Sequence, residues 1–342
     1  MTVMYVREQG AVVRRASEQV KVTQTALGDG QLQVLQALPV RDLEQVVLYG
    51  NVQVTTPAVA LLLEHEVDVI FLSRYGTFRG RLGKTGSKFA RLRHAQLRLA
   101  GDEGKSLALA LAIVRAKLAN QRNLLLQWRE QTQGAQAAML QQAANGVAQM
   151  GRACGQATTT EVLRGFEGKA GAYYFGGVKA LLGAEWGFVG RAYYPAPDAF
   201  NALLSFGYTL LLKDVTTTIE LVGLDPYLGC FHVLEYNRPS LTLDLMEEFR
   251  PLAVDQTVMA LALQGAIKPG DFTYTGKMER PVVLGEALIP TLIEAYAARM
   301  NTVLRHSPTG SQQRLQHCLE LQARSFERVV LGLQAAYSGM EG

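Results

Sequence analysis

Cysteine is scarce: Cys154, Cys230 and Cys318 are the only three in 342 residues, far apart and without a CxxC pair. An odd number of scattered thiols argues against a disulfide framework and fits a reducing compartment, so a cytoplasmic protein is expected. Long apolar runs are missing too. The greasiest stretch, Ala58 to Leu72, is broken by Glu64, His65, Glu66 and Asp68, which rules out a membrane span. The amino terminus, MTVMYVREQG, has no basic segment followed by an apolar one, so secretion is not expected. No GxxxxGK[ST], GxSxG or HExxH occurs, and P-loop, serine-hydrolase and zincin chemistries have no support.

What is present belongs to a soluble globular chain, with 48% hydrophobic and 19% charged residues. Its length exceeds the usual size of a single core, so more than one domain is expected. The first 80 or so residues read as β-rich. Tyr5-Val6 and Val12-Val13 flank a Glu-Gln-Gly turn, and Val20-Lys-Val-Thr continues the alternation. Val46 to Tyr49 and Val52 to Val54 bracket Gly50-Asn51, a favoured hairpin dipeptide. Thr56-Pro57 opens a short helix, and a strand follows at Val67 to Leu72.

From about residue 106 onward the pattern is helical: Leu107 to Gln131, Val162 to Leu182, Phe200 to Val222, Val258 to Ala266, Val283 to Ala297 and Leu315 to Tyr337. The Gln/Ala-rich piece between Gln131 and Gln149 reads as a further helix. An α+β chain is expected, with a β-rich domain at 1–80, a basic connecting segment at 81–105 and an all-helical domain at 106–342.

The stretch from Ser73 to Lys105 carries Arg74, Arg79, Arg81, Lys84, Lys88, Arg91, Arg93, Arg98 and Lys105 against only Asp102 and Glu103. Such a run is either a solvated face or a surface for a phosphate backbone, where counterion release supplies affinity without sequence preference. Arg91, Arg93 and Arg98 are the candidate nucleic-acid contacts.

Among the five histidines, His232 stands apart, between the turn Leu224 to Gly229 and the acidic helix Leu241 to Arg250. On a helical wheel Leu241, Leu245, Met246 and Phe249 form an apolar face, with Asp244, Glu247 and Glu248 opposite. Pro251 is expected to end that helix. The plain reading of these carboxylates is a solvated amphipathic face. Glu167 lies at the edge of an apolar stripe with Leu163, Ala170 and Tyr174, among Gly165, Gly168 and Gly171. Glycines inside a helical pattern point to close backbone packing or a functional site. A carboxylate placed there needs a proton or a cation, and a nearby arginine or lysine is the plain candidate. Glu167, His232, Asp244 and Glu247 together suit Mg²⁺ or Mn²⁺ better than a thiolate-rich zinc site. The wheel alone leaves Glu247 and Glu248 equivalent.

Four ordered segments carry a resemblance. They are Phe166-Glu-Gly-Lys-Ala-Gly171, Asn201-Ala-Leu-Leu-Ser-Phe-Gly-Tyr208, Gly223-Leu-Asp-Pro-Tyr-Leu-Gly-Cys-Phe-His232 and Arg238-Pro-Ser-Leu-Thr-Leu-Asp-Leu-Met-Glu-Glu-Phe-Arg-Pro251. With them the whole chain resembles the CRISPR-associated protein 1 family. The resemblance implies metal ligands at Glu167, His232 and Glu247, with Asp244 as a supporting acid one turn earlier. Asn237, where a glycine is common, Gly171, where alanine is usual, and Tyr193-Tyr194, in an often more basic stretch, depart from the family pattern.

The implied activity is phosphoryl transfer with Mg²⁺ or Mn²⁺. The 3′-hydroxyl of a short DNA attacks a phosphodiester at the edge of a CRISPR repeat, and branched DNA is cut with water as nucleophile. The implied partners are double-stranded DNA, CRISPR-associated protein 2 and a second copy of the chain joined through the β-domains, with no membrane. The alternatives are a transposon-encoded integrase or repair nuclease sharing the catalytic domain, or a non-enzymatic DNA-binding scaffold.

Overall fold

Valine-rich segments punctuated by turns make the first part of the chain a pair of small sheets. In the computed structural model the described residues are 2–25, 31–72, 78–83, 89–192, 195–279, 281–285 and 287–342. Arg74, Lys84 and Lys88 of the basic stretch, and Tyr193-Tyr194, lie outside them. The chain divides into two compact units, 1–91 and 92–342.

The first unit holds strands β1 (Thr2–Val6), β2 (Val12–Ala16), β3 (Gln19–Thr25), β4 (Leu32–Pro39), β5 (Leu43–Tyr49), β6 (Gln53–Val54), β7 (Asp68–Leu72) and β8 (Phe78–Leu82), with helix α1 (Thr56–Glu64). One sheet has the order β1-β5-β7-β8, parallel except for β8; the other runs β4-β3-β2-β6, with β6 parallel to β2. Met4, Val6, Val13, Val20, Val22, Val46, Leu48, Leu61, Leu62 and Val69 form its core.

The hairpin expected at Gly50-Asn51 is not there. β5 pairs with β1 and β7, whereas β6 pairs with β2, so this dipeptide carries the chain from one sheet to the other with Gly50 at φ 70°. The physical reason lies in β5 itself. Val46, Val47 and Leu48 are all buried, and a continuous apolar run suits a central parallel strand covered on both faces. Within the basic stretch, Arg81 belongs to β8, pairs with Asp68 at 2.7 Å and stacks over Phe89, so it serves this unit's own packing.

The second unit is helical: α2 (Ala90–Ala100, whose first two residues fall in the first unit), α3 (Glu103–Glu130), α4 (Gly134–Ala153), α5 (Thr160–Leu181), α6 (Ala199–Val222), α7 (Ser240–Met246), α8 (Gln256–Leu263), α9 (Leu288–Met300) and α10 (Leu315–Val330). Asp102, Thr159 and Asp198 cap α3, α5 and α6 by accepting the backbone N–H of Lys105, Val162 and Asn201. Small residues let α3, α4 and α5 close up: a Cβ on Gly177 would stand 2.6 Å from Leu125 Cδ2 and 2.9 Å from Ala143 Cβ.

Two expected helices are corrected, and a hairpin is added. Val282–Leu284 forms strand β10, paired with β9 (Phe272–Tyr274), and α9 begins only at Leu288. A second hairpin joins β11 (Val303–His306) to β12 (Ser311–Arg314), so the domain is not wholly helical. α10 stops at Val330, two residues before Gly332 at φ 71°. Pro251 does not end the acidic helix either. α7 gives way at Met246, and Arg250–Asp255 continue as a π-helical segment into α8, with the proline in its first turn. Among the described residues no helix is long and apolar enough to cross a membrane.

Candidate active site

All the chemistry-bearing side chains lie in the second unit, and its loops are built to hold them. α6 ends at Gly223, left-handed at φ 94°, and the loop 224–239 returns the chain to α7. Buried Gln96 of α2 fixes that loop by donating to the carbonyls of Asp225 (2.8 Å) and Leu228 (2.9 Å) and accepting Asp225 N–H (2.9 Å). Gly229 is required: a Cβ there would lie 2.7 Å from the Ser240 carbonyl carbon and 2.8 Å from Leu241 N, backbone that cannot yield. Asn237 takes φ 58°, the left-handed conformation that explains why glycine suits this position.

Asp244 organises the loop. Fully buried, it accepts the backbone N–H of Cys230 (2.6 Å), Phe231 (3.0 Å) and His232 (2.8 Å), and Oδ1 faces His232 Nδ1 at 2.7 Å. A carboxylate partner assigns the imidazole proton to Nδ1, leaving the lone pair of Nε2 directed at the site. Nε2 lies 3.8 Å from Glu247 Oε1.

Glu247 is 4% exposed. Arg250 Nε stands 3.1 Å from its Oε1, and Lys117 Nζ 2.6 Å from its Oε2. The latter is a short charge-assisted contact in a place closed to water. Burial pushes this acid up, but the cations beside it outweigh that and hold it at about 2. The same Lys117 ammonium hydrogen-bonds to Glu167 Oε1 on α5. Burial favours a neutral amine, yet Glu247 and Glu167 together raise its pKa.

Thus the structure brings Glu167, His232, Asp244 and Glu247 together from three separate segments. The expectation of a solvated acidic face is overturned, because Asp244, Glu247 and Glu248 are all buried. Nor do Gly165, Gly168 and Gly171 serve close packing: a Cβ at each would meet nothing within 4 Å.

Two cavities flank the carboxylates. One, of about 610 Å³, is lined by Glu167, His232 and Glu247 together with Arg164, Arg191, Arg238 and Arg250. The other, of about 470 Å³, is bounded by Lys117, Gly168, Gly171 and Asp255, and shares Glu167, Arg191, Tyr208 and Arg250 with the first. His232 faces only the first and Lys117 only the second. Among the described residues no three His, Cys, Asp or Glu side chains close on one point at metal-ligand spacing. In this centre the Lys117 ammonium stands between the two carboxylates. The donor set nevertheless suits a hard divalent cation: two carboxylates and an imidazole line one cavity, with no thiolate among them.

Glu248, indistinguishable from Glu247 on the wheel, points the other way. Its carboxylate accepts Tyr337 O–H (2.6 Å), Met340 N–H (2.7 Å) and Gln322 Nε2 (2.8 Å), tying segment 337–340 to the site turn. His306 is buried and bonds Gln322 at 3.0 Å. Burial raises Glu248 to about 7, against the pull of those hydrogen bonds. An acid raised by folding binds its proton more tightly in the folded state. Its stabilising contribution is therefore full below its ordinary value of 4.5 and is lost as pH rises through about 7. Between pH 6.5 and 8 the melting temperature should fall by a few degrees, and Glu248→Gln should flatten that slope. An unchanged slope in the variant would assign the pH dependence elsewhere.

A profile of the CRISPR associated protein Cas1 family matches residues 4–298. The chain belongs to that family. It is 36% identical over 306 residues to the CRISPR-associated exonuclease Cas4/endonuclease Cas1 fusion of Rhodospirillum rubrum, a match spanning 86% of this chain and 51% of that protein. It is 32% identical over 333 residues to a CRISPR-associated endonuclease Cas1 of Thermus thermophilus, covering 96% and 94%. The chain spans about half the length of the fusion proteins it matches. In fold it is similar to a casposase bound to integration product (TM-score 0.82, 20% identity, 99% and 98% covered). A CAS1 protein from Thermotoga maritima is similar as well (TM-score 0.78, 20% identity, 97% of each chain).

Sequence reasoning missed Lys117, Arg250 and Gln96. Lys117 had a readable signal. It falls on the buried stripe of α3, in step with Leu109, Ile113, Gln121, Leu124 and Trp128, where a lysine needs an anionic partner.

Proposed function

We propose that this Cas1 family member is a metal-dependent DNA integrase and endonuclease that inserts spacer DNA into a CRISPR array in antiviral defence. The observation carrying this reading is the convergence of Glu167, Glu247 and the oriented Nε2 of His232 in a cavity ringed by arginines. Glu167, His232 and Glu247 would hold Mg²⁺ or Mn²⁺, which when bound polarises the scissile phosphate and stabilises charge on the oxygens exchanged. Arg164, Arg191, Arg238 and Arg250 place positive charge around the phosphate. Asp244 keeps the Nε2 lone pair available, either to the cation or to the proton of the attacking 3′-hydroxyl. The hydroxyl oxygen forms the new P–O bond as the repeat strand's P–O bond breaks, releasing a 3′-hydroxyl there. Water in the same place gives endonucleolytic cleavage.

The partners in this reading are double-stranded DNA, CRISPR-associated protein 2 and a second copy of the chain joined through the β-rich unit, in the cytoplasm. The test is to incubate a short duplex with a repeat-containing target. Joined product that forms with Mn²⁺ or Mg²⁺ and vanishes in EDTA is the expected result. Binding without any joining would leave a scaffold.

In α2, Leu92, Gln96 and Leu99 are buried and Arg91, Arg93 and Arg98 are exposed. As a DNA-facing surface, these arginines predict that their joint replacement by glutamine weakens binding of unrelated duplexes about equally. The slope of log affinity against log salt should fall by roughly 0.9 for each phosphate that is no longer neutralised. Parental affinity and slope would make them a solvated face.

A further inference from the structure

The position of Lys117 has a consequence for when the centre takes up its cation. Glu167 and Glu247 bring two negative charges, and Lys117 and Arg250 bring two positive ones, each in direct contact with at least one of the carboxylates. The pair is balanced before any metal arrives. A divalent ion added here brings net charge +2 into a place where Lys117 and Glu247 are under a tenth exposed. That is unfavourable in a weakly screened interior. Around this core stand Asp244 and Asp255 as further anions and Arg164, Arg191 and Arg238 as further cations, which leaves the wall of the larger cavity positive. A phosphodiester entering that cavity supplies the missing negative charge.

Lys117 is moreover not in the way of this event. It lines the smaller cavity, whereas His232, Glu247, Arg164 and Arg238 line only the larger one. It can stay in place while Glu167 Oε2 and Glu247 Oε1, the latter shared with Arg250, turn to an incoming ion.

Resting on the metal-dependent reading above, we infer that Lys117 is a built-in counter-ion that makes divalent-cation binding depend on DNA phosphate. The free protein holds its metal weakly, and the metal and DNA strengthen each other's binding by the same factor, as linkage requires. Lys117 is a positioning and charge-setting residue in this role and need not touch the substrate.

The experiment measures Mn²⁺ bound to the full chain by electron paramagnetic resonance, with and without a duplex whose 3′ ends are dideoxy-terminated so that no joining occurs. Glu167→Gln, measured identically, corrects for Mn²⁺ held by DNA. The parental protein should bind Mn²⁺ roughly tenfold or more tightly with the duplex than without it. Lys117→Met should bind Mn²⁺ roughly tenfold or more tightly than the parent without DNA, and gain much less from the duplex. Melting provides a second readout. Lys117→Met should melt lower than the parent in EDTA and recover more on adding Mn²⁺, because the ion replaces the missing charge. A lysine that only braces the helices would show the drop without the extra recovery.

Parental Mn²⁺ affinity indifferent to DNA overturns the inference, and that arm needs no variant to fold. Lys117→Met binding Mn²⁺ no more tightly than the parent overturns it as well. Both results leave the metal-dependent reading standing so long as the parent binds more Mn²⁺ than Glu167→Gln. Equal binding by those two proteins, with and without DNA, overturns both.

Discussion

Replacing Glu167 by alanine should cut DNA joining by roughly a thousandfold or more, the scale of losing a carboxylate that holds a catalytic cation. Duplex affinity should stay near the parental value. Affinity for DNA comes mainly from lysine and arginine contacts to phosphate, which this change leaves intact, and removing a negative charge beside the phosphates can even strengthen binding in EDTA. The chain should still fold, with a lowered melting temperature, because Glu167 is partly exposed and Glu247 remains as a partner of Lys117. The measurement pairs a joining assay in Mn²⁺ with a binding titration. Joining at the parental rate would remove Glu167 from the catalytic set.

Asp244 should give the largest effect on stability. Asp244→Ala strips the acceptor from the N–H groups of Cys230, Phe231 and His232 and from His232 Nδ1, in a place fully closed to water. Leaving such donors unsatisfied costs about 1–3 kcal/mol each. Four such donors cost at least about 4 kcal/mol, which lowers the melting temperature by roughly 10 °C or more in a unit of this size. Asp244→Asn separates fold from chemistry. Its carbonyl oxygen can replace Oδ2 and keep the Cys230 and Phe231 bonds, but its amide then donates toward His232 Nδ1. That forces the proton onto Nε2 and removes the lone pair the site uses. The asparagine protein should therefore melt closer to the parent yet join DNA roughly a hundredfold or more slowly, the kind of loss a wrong histidine tautomer produces. Nitrogen chemical shifts of His232 report the tautomer directly. A parental tautomer together with parental joining would sink this role for Asp244.

How far the centre could be read from sequence depends on the range of the interaction. His232, Asp244 and Glu247 fall within a span of sixteen residues and could be singled out as ionisable groups near a turn and a helix. Their burial could not. A helical wheel shows one helix against water, and α7 has protein on every side, so an apparently polar face turned out to be inside. The choice between Glu247 and Glu248 is settled by partners far along the chain: Lys117 for the first, Gln322, Tyr337 and Met340 for the second. No local periodicity encodes those contacts.

In the β-rich unit, strand positions were legible from alternation, but pairing was not. Gly50-Asn51 has the chemistry of a hairpin, and the burial of Val46, Val47 and Leu48 between β1 and β7 outweighed it. At Pro251 no helix remained to be ended, because α7 stops at Met246 and the proline sits in the first turn of the π-helical segment. Lys117 is the instructive omission. A lysine in step with leucines is an energetic anomaly that demands a buried anion, and here it marks two.

The most direct test of the central claim is an anomalous difference map from crystals of the full chain grown with Mn²⁺ and a duplex blocked at its 3′ ends. The expected result is a peak within roughly 2–2.5 Å of oxygens from Glu167 and Glu247 and of His232 Nε2, the ligand distances for such an ion. Density at any other set of side chains, with those three still engaged only with one another, Asp244, Lys117 and Arg250, would contradict it.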